Sequence, residues 1–255
     1  MNEERFHEEW LGLVQPTDGL VVSVPVLVDA QCMSRQPPEL QRRLVELCQD
    51  AGDGDLAFAD LGAFLAGILE LGPEHLDAHI PDALSLYVPE GGQIVRPTLA
   101  VRGADRPIAL LWDLGPECVG LPLDKPETKT GPWDYPPSAK LDRLLRHVRI
   151  PIGILTNRTV VRLVYAPHGE SSGSITFRIA DMATVGGRPI LDAFVMLLGA
   201  TRLYRVAPER QLPAILAESR KRHYGNDMHA TCHADSSSCS QPHGHALEPV
   251  GWGRS

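Results

Sequence analysis

The sequence predicts a single α/β (α+β) domain, a sheet of short strands set among helices. Three observations carry that prediction. Apolar stripes of helical period recur at residues 37–50, 56–72, 138–149 and 189–204. Short β-branched runs alternate with them, separated by turn chemistry such as "PEGG" and "GADR". With 43% hydrophobic and 22% charged residues in 255, the chain can bury a sizeable core.

Taken in order, residues 3–10 form a short acidic helix with Phe6 and Trp10 four apart on one face. The run "GLVVSVPVLVDA" (19–30) reads as a buried strand that Pro25 confines to an edge or a bulge. Residues 37–50 are helical, with Leu40, Leu44, Leu47 and Cys48 as the stripe. After the loop 51–55, residues 56–72 form a more buried helix closed by Gly72. Strands follow at 84–88, 93–102 and 106–114. Residues 115–137, rich in proline and glycine, make a long irregular loop. The helix 138–149 takes Ser138 as N-cap and buries Leu141, Leu144, Leu145 and Val148. Strands at 150–156, 160–166 and 174–182 and a helix at 189–204 complete the domain. Its expected span is 1–222, because the helix begun at 212–222 stops abruptly. Residues 223–255 keep no helix or strand period and are expected to be a disordered or out-of-frame tail.

Composition narrows the function. A net charge of −8 argues against bulk-charge binding to nucleic acid and leaves room for a local basic stripe. The start "MNEERFHEEW" has no signal-peptide pattern, and no apolar run approaches the roughly 18–20 residues of a membrane span. Five cysteines, odd in number and irregularly spaced, fit reduced thiols, so a cytoplasmic setting without membrane contact is expected.

Three phrases, "FHEEWLGLVQPTDGLVVSVPVLVDAQ" (6–31), "IPIGILTNRTVVRLVYAPHGESSGSITF" (150–177) and "GRPILDAFVMLLGATRLY" (187–204), resemble the N-terminal endonuclease-like region of fused restriction–modification, or phage-defence, adenine-specific DNA methyltransferases of bacteria. The likeness runs over residues 5–222 in scaffold phrases and stops before any methyltransferase half. It implies a restriction-endonuclease-like mixed β-sheet flanked by helices. It places the metal site of such a fold on the strand pair 93–102 and 106–114.

That site needs an acid at one strand, then an acid, a spacer and a lysine on the next, so that Mg²⁺ is held and water activated. Here "RPT" puts Thr98 at the first acid, Asp113 stands at the second, and Gly115 takes the lysine position. Glu70 and Lys140 are the residues that would supply a substitute carboxylate and lysine. The plain alternative for Asp113 is a structural strand-end carboxylate. A basic strip for DNA phosphates is expected from Lys140, Arg143, Arg146 and Arg149, joined by Arg158 and Arg162. Its alternative is a solvated helix face. The turn "APHGESSGS" (166–174) is a hairpin loop by default. Cys232, His233, Cys239, His243 and His245 are zinc-type ligands without the spacing of a structural module.

The expectation is therefore a DNA-associated scaffold module without catalysis of its own. Its partners would be DNA and the missing methyltransferase domain or other defence subunits. No cofactor is expected, or Mg²⁺ if the chain cleaves. The alternatives are an active Mg²⁺-dependent endonuclease with a displaced lysine and a non-functional fragment.

Overall fold

The computed structural model describes residues 2–14, 17–19, 21–89, 92–126 and 135–223. The first helix, α1 (Glu3–Leu13), buries Phe6 and Trp10 as its spacing requires and is capped by Asn2. A two-residue strand, β1 (Thr17–Asp18), follows it. The run expected as a strand then folds as helix α2 (Val24–Asp29). Pro25 sits in its first turn, where a missing N–H costs nothing, and burial of Val26 and Leu27 outweighs the β-propensity of the valines.

The helices expected over 37–50 and 56–72 are shorter, α3 (Pro38–Glu46) and α4 (Leu61–Leu69), because a hairpin separates them. It pairs β2 (Cys48–Gly52) with β3 (Asp55–Phe58) around Asp53-Gly54. Both turn residues have positive φ, +52° and +79°, the conformation a two-residue primed turn demands. The Asp60 carboxylate caps α4 by accepting from the Ala63 N–H at 2.6 Å. Glu70 in left-handed conformation ends this helix, two residues before Gly72.

The stretch 93–102 is also two strands. Broken at Arg96-Pro97-Thr98, it gives β6 (Gln93–Val95), paired with β5 (Leu86–Val88) in a separate hairpin, and β7 (Leu99–Val101). The strand β4 (Leu76–Asp77) pairs with β7, which pairs in turn with β8 (Ala109–Asp113). The sheet continues through β9 (Ile152–Thr156), β10 (Val160–Tyr165) and β11 (Gly173–Arg178), with β1 closing the far edge. Its order is β1-β11-β10-β9-β8-β7-β4. Among the described residues only β8 and β9 run parallel, so the sheet is mixed. Parallel neighbours need a long crossover, supplied by the loop after β8 and helix α5 (Pro137–Val148). Pro137, not Ser138 as N-cap, opens that helix.

Side-chain alternation divides the core in two. Ala109, Leu111, Ile154 and Leu163 face one way and pack with α1, α2, α4, α6 (Ile179–Ala183) and α7 (Arg188–Leu198). Leu110, Leu155 and Val164 face the other and pack with Leu141, Leu144 and Leu145 of α5. Gly153 sets the α5 spacing: a Cβ there would stand 2.7 Å from Leu145 Cδ1. The strand expected to reach residue 182 stops at Arg178, where α6 begins, and α7 ends at Leu198 before a π-helical turn, Thr201–Arg205.

The chain divides into one unit, Met1–Arg220, that holds all these elements, and a second, Lys221–Ser255. In the second, residues 221–223 are helical. The tail beyond them, with its five zinc-type ligands, lies outside the described residues. Among the described residues no helix is long and apolar enough to cross a membrane.

Candidate functional site

Asp113 is the last residue of β8 and stands opposite Thr156 in the parallel ladder with β9. Two residues past Thr156, on the β9–β10 turn, Arg158 therefore returns to the same face of the sheet. The turn is tightly built. Thr156 Oγ1 accepts from the Arg158 N–H at 2.9 Å and donates to the Val160 carbonyl at 2.7 Å. Asn157 Oδ1 accepts from the N–H groups of Thr159 and Val160. Arg158 itself is held at φ +73°, left-handed for a residue that is not glycine.

That geometry aims the guanidinium at Asp113. Nη2 donates to Oδ2 at 2.8 Å, and Nε is 3.2 Å from Oδ2 and 3.4 Å from Oδ1. Oδ1 also accepts from the Gly115 N–H at 3.2 Å. The pair is largely dry, with the Asp113 side chain 5% and the Arg158 side chain 14% exposed. Nη1 donates to the Ala59 carbonyl at 2.8 Å, and the guanidinium carbon lies 6.0 Å from the centre of the Phe58 ring. Arg158 thus joins β8, the β9–β10 turn and the end of β3.

Thr98 does lie beside Asp113, as the strand alignment expects. Its hydroxyl is spent on the backbone, accepting from the Asp113 N–H at 2.9 Å and facing the Asp113 carbonyl at 3.3 Å. Gly115 lies beyond the strand end at φ +95°, a conformation that a lysine rarely adopts.

The proposed substitutes lie elsewhere. Glu70 ends α4 and pairs with Arg205, Nη1 to Oε2 at 2.6 Å. Lys140 is buried on α5, which covers the opposite face of the sheet from Asp113. Asp113, Glu70 and Lys140 are not brought together as a catalytic set.

These residues do not fit a hydrolytic Mg²⁺ site. A hard cation wants anionic oxygens free to coordinate, and both oxygens of the one carboxylate are engaged by N–H donors, with a neutral hydroxyl as neighbour. Among the described residues no cluster of three or more His, Cys, Asp and Glu side chains is placed to hold a metal ion.

No family model, curated protein or solved structure matches the chain.

The expected basic strip divides. Arg158 is committed to Asp113, on the face away from α5. Arg162 is buried and pairs with Asp124. Arg146 pairs with Asp142 one turn back, Nε to Oδ2 at 2.9 Å. Arg143 and Arg149 are exposed, and the Arg149 carbonyl accepts from Nη2 of Arg106, which is also exposed. The exposed arginines are Arg143, midway along α5, and Arg149 and Arg106 at its C-terminal end, where the helix dipole itself favours cations. Arg106 was not marked by the sequence, because it reaches α5 through tertiary structure.

Proposed function

We propose that this chain is a DNA-associated scaffold module of a restriction–modification or related defence system, built on an endonuclease-like core that does not cleave. The buried Asp113–Arg158 pair carries the reading. The strand-end acid that a metal-dependent nuclease keeps open is here neutralised by a guanidinium. The mixed sheet with helices on both faces, and Thr98 just before β7 beside Asp113 at the end of β8, support the architecture that the resemblance implies. The exposed arginines at the end of α5 offer a local cationic surface on an otherwise acidic protein. Such a module would position a methyltransferase domain or a partner subunit on the duplex.

A mobility-shift titration against duplex DNA across a salt series tests this. Binding that weakens steeply with salt supports the reading, since phosphate contacts release counterions. Absence of binding at low salt, or cleavage of plasmid DNA with Mg²⁺ or Mn²⁺, would overturn it.

A further inference from the structure

Between α5 and the sheet lies a cavity of about 260 Å³ lined by Asp124, Ser138, Asp142, Arg162, Ser172 and Ser174. It is polar and lies on the face away from Asp113. Arg162 forms its floor. On the same face of β10 as Val160 and Val164, it points towards α5, and only 8% of its side chain is exposed. Nε is fixed from below, donating to Thr176 Oγ1 at 2.8 Å. The terminal nitrogens form a two-pronged pair with Asp124, Nη1 to Oδ1 at 2.5 Å and Nη2 to Oδ2 at 2.9 Å.

The two partners are unequally built in. The guanidinium is buried and anchored by the sheet, whereas the Asp124 side chain is 60% exposed and comes from a turn after β8. A planar fork of this kind takes any carboxylate or phosphate edge. Arg162, with help from the Ser138 hydroxyl, holds the Asp124 carboxyl below its ordinary pKa, so Asp124 is an anion in place at neutral pH. Asp142 Oδ1 is buried and has no hydrogen-bond partner among the described residues, while Oδ2 takes Nε of Arg146. A buried carboxylate oxygen without a donor is costly, and an O–H group on a ligand would satisfy it.

We propose that this cavity binds a small hydroxylated oxyanion, a carboxylate or phosphate carrying at least one hydroxyl, and that Asp124 is its built-in competitor for Arg162. The anionic edge takes over the fork, Asp124 swings into solvent, and a ligand hydroxyl donates to Asp142.

The test is calorimetric titration of the full chain with glycerol 3-phosphate, glycerate and inorganic phosphate. The first two separate a phosphate from a carboxylate. The third lacks a carbon-borne hydroxyl. Removing a tethered competitor raises apparent affinity, so Asp124→Asn should tighten binding of at least one hydroxylated probe by about ten-fold or more. Asp124→Ala is the second opening variant if the asparagine amide retains a bond to Arg162. Arg162→Lys, made on the Asp124→Asn background, keeps the charge, removes the fork and should abolish the gain. Asp142→Asn should weaken the hydroxylated probes relative to inorganic phosphate, which cannot place a carbon-borne hydroxyl on Asp142. Folding of each variant is checked by its melting curve. The proposal is overturned if both opening variants fold and bind no probe at millimolar concentration, or bind it no better than the parent. It is also overturned if Arg162→Lys retains the gain.

Discussion

Arg158 Nη2 lies 2.8 Å from Asp113 Oδ2, with Nε closing a second contact to the same oxygen at 3.2 Å. Asp113 ends β8 and Arg158 sits on the turn that follows its parallel neighbour β9, and the contact is largely buried. It decides how the strand end behaves, and the first two predictions follow from it.

Removing one member of a buried pair strands the other. Asp113→Ala should cost about 3 kcal/mol of stability in urea melts, and Arg158→Ala a comparable amount, with a double mutant well short of the sum. Arg158→Gly should be milder than Arg158→Ala by about 1 kcal/mol, because it relieves the left-handed conformation. Additive single losses would show that the pair is not coupled.

Restoring the nuclease pattern at its missing lysine should fail. Gly115→Lys forces a side chain onto φ +95° and should lower stability by about 1–3 kcal/mol without producing cleavage in the presence of Mg²⁺. Metal-dependent cutting by this variant would mean that Asp113 can release Arg158.

The third prediction concerns pH. His7 is fully buried, its Nδ1 accepts from the Trp10 indole N–H at 3.1 Å, and burial with the nearby Arg202 lowers its pKa to about 4. A lowered histidine pKa means that the unfolded chain binds the proton first. This contribution to stability is therefore present above pH about 6.5, falls as pH drops towards 4, and reaches on the order of 3 kcal/mol. Chemical melts of the parent and of His7→Gln at pH 7 and pH 4.5 measure it. The variant should lose less on acidification, and equal losses would exclude His7 as the source.

On DNA, Arg106→Ala, Arg143→Ala and Arg149→Ala should each flatten the dependence of binding on log salt by roughly one unit and weaken all sequences alike. Arg162→Lys, buried under α5, should leave the slope unchanged. Equal slopes for all four variants would remove the end of α5 as the contact surface.

Periodic segments with a single partner face were legible in the sequence. The stripes of α1 and α5 and the runs that became β8, β9 and β10 are where their apolar spacing puts them. The errors arose where a short signal was outweighed by tertiary packing. The valines of 19–30 read as a strand, yet Pro25 fits the first turn of α2. Asp53-Gly54 is a hairpin signal, but the apolar spacing on both sides of it predicts a plain loop between helices. Pro97 separates two strands that belong to different sheets. At the site, the sequence marked Asp113 and its neighbour Thr98 but assigned Arg158 to phosphate. Only the register of Asp113 against Thr156 reveals that Arg158 faces the carboxylate. The parallel pairing of β8 with β9 leaves no local trace in either strand.

β1 joins the sheet by pairing Thr17 with Ile175, residues separated by most of the domain. Closing so long a loop costs more entropy than closing the local hairpins β9–β10 and β10–β11. During synthesis the first helix and its strand must wait until β11 has left the ribosome. The N-terminal strand is thus tied to the fold through β11, and destabilising changes along β11 should loosen residues 17–18 along with it.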